Sequence, residues 1–258
     1  MCKDNTATEK IRWEVREQIL ALAEPSYQQF SSKLLPGTEH IVGVRLPLLR
    51  KLAKQIVKKK DWKKYLEQTL KTNICEKYSE RGEEAIPFNE GEFFEEIMLQ
   101  GFLIGYAPLT LEERFAYLDQ FIRKIDNWSV CDSVCATMKF TSEHKEETWE
   151  FLQKHVKSNS EYGIRFAVVM YINYYINEEY FDRVLKELGE ISHPAYYVKM
   201  AVAWAVSMCY VLNAKKTENF LQVCTLDDFT YNKTIQKIIE SRQISKEEKE
   251  KLKTWKRK

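Results

Sequence analysis

Apolar residues in this chain recur every three or four positions, and that period limits the fold more than any other feature. In residues 11–23, Val15, Ile19 and Leu22 fall at such spacings. In residues 47–57, Leu48, Leu49, Leu52, Ala53 and Ile56 share one broad face, with Lys51, Lys54, Lys58 and Lys59 largely opposite. The texture continues through 93–106, 111–125, 146–156, 163–176, 180–188, 196–212, 232–241 and 246–255. Eight glycines and six prolines in 258 residues are too few turn formers for an all-β chain. The expectation is an all-α protein, about a dozen helices stacked as pairs in a degenerate helical solenoid.

Helix punctuation refines this reading. Thr110 with Glu113, and Ser245 with Glu248, spell capping boxes. Ser142 occupies a similar position, although Lys145 breaks its box, and Pro194 is expected to begin a helix. Pro36-Gly37-Thr38 reads as a turn, and Pro47 suits the first turn of a helix. Residues 72–91 are acidic and bear Gly and Pro, so they read as a long loop or insertion within one continuous domain, 1–258.

Charge is polarised along the chain. Residues 45–64 hold nine Lys or Arg against Asp61 alone, and residues 76–96 hold eight Glu against Lys77 and Arg81. The tail from 246 to 258 carries seven basic and three acidic residues. A net charge of +2 therefore conceals a strong cationic segment that can face phosphates, although solvated helix faces would produce the same runs. The first fifteen residues lack the apolar core of a secretory signal, and no stretch has the length of a membrane span, which points to a cytoplasmic protein. The six cysteines form no CxxC pair. Cys131 and Cys135 share a helix face without zinc partners and read as reduced core thiols.

Four places could carry chemistry. In Asp126-Asn127-Trp128-Ser129-Val130-Cys131-Asp132, Asp126 or Asn127 caps a helix, which stacks Trp128 and Asp132 one turn apart. A ring face and a carboxylate so placed can hold a cation, although a packing Trp with a dipole-placed Asp would look the same. Arg165 opens an apolar run, so it is either paired with an acid such as Asp132 or turned to a ligand phosphate. In Tyr196-Tyr197-Val198-Lys199-Met200-Ala201-Val202-Ala203-Trp204, Lys199 is the lone charge, and pattern alone puts Trp204 in the core. The turn Gly43-Val44-Arg45-Leu46-Pro47, followed by Arg50, Lys51 and Lys54, suits a phosphate at a helix N-terminus.

These segments, together with Asn232-Lys233, Ile235-Gln236-Lys237 and Glu240-Ser241-Arg242, resemble the AlkD-like DNA alkylation repair family in order along nearly the whole chain. The resemblance implies a C-shaped fold of HEAT-like helical pairs whose basic concave face cradles duplex DNA. It implies excision of cationic N3- and N7-alkylated purines by an N-glycosylase that uses no metal or cofactor. Residue by residue it makes Trp128, Asp132, Arg165 and Trp204 catalytic, with Arg45, Arg50, Lys51 and Lys54 on the DNA backbone. The expected partner is double-stranded DNA containing alkylated purines, bound by a monomer. A non-catalytic module for damaged or branched DNA, and a helical protein-interaction scaffold, are the competing readings.

Overall fold

The computed structural model describes residues 3–59, 61–76 and 91–257, and the side chains of 10–59, 61–70 and 91–257. Among these residues the regular elements are fourteen α-helices and one short 3₁₀ helix, with no strand. They form two compact units, Met1–Met138 and Lys139–Lys258. The first contains α1 (Lys3–Leu20), α2 (Pro25–Leu34), α3 (Leu46–Val57), α4 (Trp62–Glu76), α5 (Phe94–Tyr106), α6 (Leu111–Ile122) and α7 (Trp128–Cys135). The second contains the 3₁₀ helix Lys139–Ser142, α8 (Lys145–Val156), α9 (Glu161–Tyr174), α10 (Phe181–Glu190), α11 (Tyr196–Leu212), α12 (Ala214–Val223), α13 (Asp228–Glu240) and α14 (Lys246–Lys253).

Helix α5 is the hub of the first unit, packed against α1, α3, α4, α6 and α7. Its Met98, Leu99, Phe102, Leu103 and Ile104 are wholly buried, and each such side chain contributes about 1.5–3 kcal/mol. The helices approach closely at Gly101, where an added Cβ would sit 2.3 Å from Val134 Cγ2 of α7 and 2.7 Å from Phe121 Cζ of α6. A side chain there would force α7 away from the hub. In the second unit α11 plays the same part against α9, α10, α12 and α13, burying Ala201, Val202, Ala203, Ala205 and Val206.

The capping boxes at Thr110 and Ser245 form as expected, with the hydroxyls accepting from Glu113 and Glu248 N–H, both at 3.2 Å. Three expectations need correction. Ser142 ends the 3₁₀ helix, and His144 occupies the N-cap of α8 without a side-chain cap bond. Pro194 precedes Ala195, the N-cap of α11, and so lies outside that helix. The loop expected over 72–91 begins later, because 72–76 continue α4, while 77–90 lie outside the described residues.

The end of the acidic run is not a solvated face either. Glu92, Glu95 and Glu96 turn inward: Glu96 pairs with Arg16 at 2.6 Å, and Glu92 with Lys124 at 2.6 Å. Burial pushes the Lys124 ammonium below its usual range, and Glu92 only partly opposes that push.

Candidate functional site

Helix α7 starts at a well-made cap. Asn127 Oδ1 accepts the Val130 N–H at 3.0 Å while Asn127 Nδ2 donates to Asp126 Oδ1 at 2.7 Å, so Asn127 is the cap and Asp126 its brace. That cap makes Trp128 the first helical residue. Val130, Cys131, Val134 and Cys135 bury one face completely, and the two cysteines are free thiols. Trp128 and Asp132, one turn apart, occupy the half-buried face. A ring and a carboxylate are thereby placed one turn apart on the half-buried face of a short helix.

The basic helix α3 is aimed by a tight turn. Gly43 has φ +88°, and an added Cβ would meet Gln28 N at 2.5 Å and Glu24 O at 2.7 Å, so the position takes no side chain. The buried Glu95 carboxylate accepts the amides of Val42, Gly43 and Val44 at 3.1, 2.8 and 3.1 Å. Three successive N–H groups form an anion nest, here filled by the protein's own carboxylate. The Gly43 and Val44 amides are therefore already taken by the protein's own carboxylate, which counts against the helix-terminus phosphate expectation for Gly43 to Pro47.

Arg45, the N-cap of α3, leaves toward α2, where it pairs with Glu24 at 2.9 Å and lies 4.8 Å over the Tyr27 ring. The hydrogen bond that Arg45 donates to Glu24 raises its guanidinium pKa above the ordinary range. Arg50 turns the other way. Its Nη2 donates to Ser133 O of α7 at 2.9 Å, its Nη1 donates to Tyr106 Oη at 3.2 Å, and its guanidinium lies 4.5 Å over Phe102. Lys54 Nζ stands 5.1 Å from the Tyr106 ring. Pro47, Arg50, Lys51, Lys54, Gln55 and Lys58 line a surface hollow of about 520 Å³. The structure thus brings Arg50, Lys51 and Lys54 together and ties them to the residue after Asp132. It directs Arg45 to a separate ion pair.

In the second unit, Arg165 of α9 is 6% exposed, and its Nη1 donates to Tyr197 O at 2.9 Å, in the first turn of α11. Tyr197 N–H in turn donates to Glu161 Oε1 at 3.0 Å. Lys237 of α13 lies close enough to feel both Arg165 and Lys233. Burial lowers its ammonium pKa, Glu240 opposes, and those two cations add to the lowering. Trp204 departs from the pattern-based expectation: its neighbours Ala203 and Ala205 are fully buried, yet its ring is only half-buried.

The model of the DNA alkylation repair enzyme family matches residues 15–258. The chain belongs to that family. No curated protein sequence matches it. The matched span of this DNA alkylation repair enzyme family member runs through both compact units. Among the described residues no group of His, Cys, Asp or Glu could hold a metal ion, and no helix is long and apolar enough to cross a membrane.

Sequence reasoning missed Lys58 and Gln55, which line the hollow, and Tyr106, which anchors Arg50. Lys58 was visible as part of the basic face and was left out of the site. Tyr106, at the far end of α5, is 56 residues from Arg50 and gave no local signal.

Proposed function

We propose that this DNA alkylation repair protein is an N-glycosylase that releases cationic N3- and N7-alkylated purines from duplex DNA. The observation that carries the reading is the Arg50 fork. One bond to Ser133 O fixes the cationic hollow of α3 beside the helix that holds Trp128 and Asp132. The cationic hollow suits phosphates, and the aromatic ring and carboxylate on α7 suit a positive charge. A cationic base on a polyanionic backbone is a ligand that uses both.

An alkylated purine bears positive charge, so its C1′–N bond breaks with the electron pair leaving on a neutral base. The deoxyribose is left with oxocarbenium character. Asp132 stabilises that cation and takes the proton of the water whose oxygen bonds to C1′. The Trp128 ring adds a cation–π contact of about 0.5–2 kcal/mol. Lys51, Lys54 and Lys58 hold phosphates, with Arg50 setting the distance to α7. In the second unit the same reading gives Arg165 a phosphate and Trp204 a face toward the cationic nucleotide, as the resemblance implies. One repair domain spanning 1–258 is part of it, supported by the family match through both units.

The test is base release from duplex carrying N7-methylguanine. Asp132→Asn keeps the shape and removes the charge, so release falls by about a hundredfold or more while DNA affinity is nearly kept. Wild-type release by Asp132→Asn removes the assignment. Duplex binding without release by the wild-type protein leaves a non-catalytic module in its place.

A further inference from the structure

Outside α3 and α7, the surface that stands apart is an aromatic patch on the second unit. Tyr196 opens α11 and Phe229 lies in the first turn of α13, with ring centroids 5.8 Å apart. They are 53% and 37% exposed. Tyr197 extends the patch, edge-on to Tyr196 at 5.3 Å. Isolated exposed apolar side chains are ordinary, but large rings that touch each other and still face solvent form a surface with a use. Two ammonium groups flank it: Lys199 Nζ and Lys233 Nζ each lie 5.8 Å from the Phe229 centroid.

The nearby acids are already engaged. Asp227 caps α13 through Thr230 and pairs with Lys199 at 3.2 Å, and Asp228 faces Arg257 at 3.4 Å. Glu161 accepts the Tyr197 amide, and Glu240 accepts from Gln236 at 2.8 Å. Lys237 of the same helix feels both Lys233 and Arg165, so the surroundings of Lys233 are cationic.

We propose that Tyr196 and Phe229 are a stacking platform for the bases of a single-stranded nucleic-acid segment, with Lys199 and Lys233 on its phosphates. A purely apolar partner would cover the rings and strip water from both ammonium groups, leaving Lys199 only the Asp227 carboxylate and Lys233 only the Gln236 side-chain oxygen. A nucleotide strand supplies a flat π-face to each ring and a phosphate to each amine. In duplex DNA the bases stack on one another, so exposed ring faces select an unpaired stretch. The inference rests on the DNA reading of the family and not on the alkylpurine chemistry assigned to α7.

The experiment is fluorescence anisotropy of a labelled oligothymidine with the full chain, over a range of salt. Tyr196→Ala and Phe229→Ala each weaken binding about tenfold. Lys199→Gln with Lys233→Gln flattens the plot of log affinity against log salt by about 0.7 per lost contact. Tyr196→Leu and Phe229→Leu keep apolar bulk without a π-face, and they lose affinity as the alanine variants do, which separates stacking from a folding defect. Asp132→Asn binds oligothymidine like wild type, so this surface and the α7 assignment fail independently. Unchanged oligothymidine affinity in the double leucine variant overturns the platform. So does a shift in oligomeric state by light scattering without a change in DNA affinity, which would assign the patch to a protein contact.

Discussion

The candidate residues of the two units are held in opposite ways. In the first, Lys51, Lys54 and Lys58 stand exposed on α3 and its C-cap, while Arg50 is anchored through Ser133 and Tyr106. In the second, Arg165 is buried with one nitrogen on the Tyr197 carbonyl, and Trp204 is set in a largely apolar helix. Long exposed lysines supply attraction that salt screens and that tolerates imprecise geometry. A buried, hydrogen-bonded guanidinium gives up reach for a fixed direction. The first unit thus reads as the part that gathers a polyanion, and the second as a part that positions one group.

That contrast can be broken at Arg165. Arg165→Ala leaves the Tyr197 carbonyl without its donor and opens a cavity, costing about 1–3 kcal/mol of stability. Base release falls by orders of magnitude on the proposed reading. Arg165→Lys, which keeps charge and loses the planar fork, recovers little of that activity. Denaturant melts and single-turnover release check both, and full rescue by lysine would show that charge alone matters there.

A smaller effect is expected in the first unit at Glu95. Glu95→Gln replaces one acceptor oxygen by a donor that faces an amide of the Val42–Val44 nest. The turn loosens at a cost of about 1–3 kcal/mol, and α3 loses its fixed start. DNA affinity falls more than single-turnover release at saturating DNA. A cavity variant such as Leu99→Ala, destabilised within the same α5, leaves affinity unchanged under native conditions. Equal losses of affinity in the two variants would reduce Glu95 to a stability residue.

The least costly change is at the hollow. Lys51→Ala with Lys54→Ala alters stability by under about 0.5 kcal/mol, because among the described residues neither ammonium forms an ion pair and both side chains are exposed. Binding to duplex nonetheless weakens regardless of sequence, and the log–log salt slope drops by roughly 0.9 per lost contact. An unchanged slope would place these lysines away from DNA.

Much of this was legible in the sequence because the helices that bury a wide face advertise it. Residues 196–212 were bounded to the residue, and α3, α5 and α8 to within one. Helix α2 escaped because, among its ten residues, it buries only Ser31, and α12 because it buries only Thr217 and Leu221. Helix α4 opens in a lysine run, and that charge masked the buried Tyr65, Leu66 and Leu70. At the site, the α7 cap follows from local spacing, and with it the one-turn separation of Trp128 and Asp132. The Arg50 fork and the Glu95 nest join residues 83 and 52 positions apart, and no local pattern encodes such pairings. The inward turn of Glu92, Glu95 and Glu96 was hidden for the same reason, since a charge run looks alike whether its partners are water or distant cations.

The central claim is that the site recognises the positive charge of the damaged base. A duplex panel carrying N7-methylguanine, a bulkier cationic N7 adduct or uracil, assayed for free base under single-turnover conditions, tests it most directly. The account predicts release of both cationic purines and none of uracil, because Asp132 can stabilise a departing cation's sugar but offers no acid to help a neutral base leave. Efficient uracil release, or no release from either cationic purine, would contradict it.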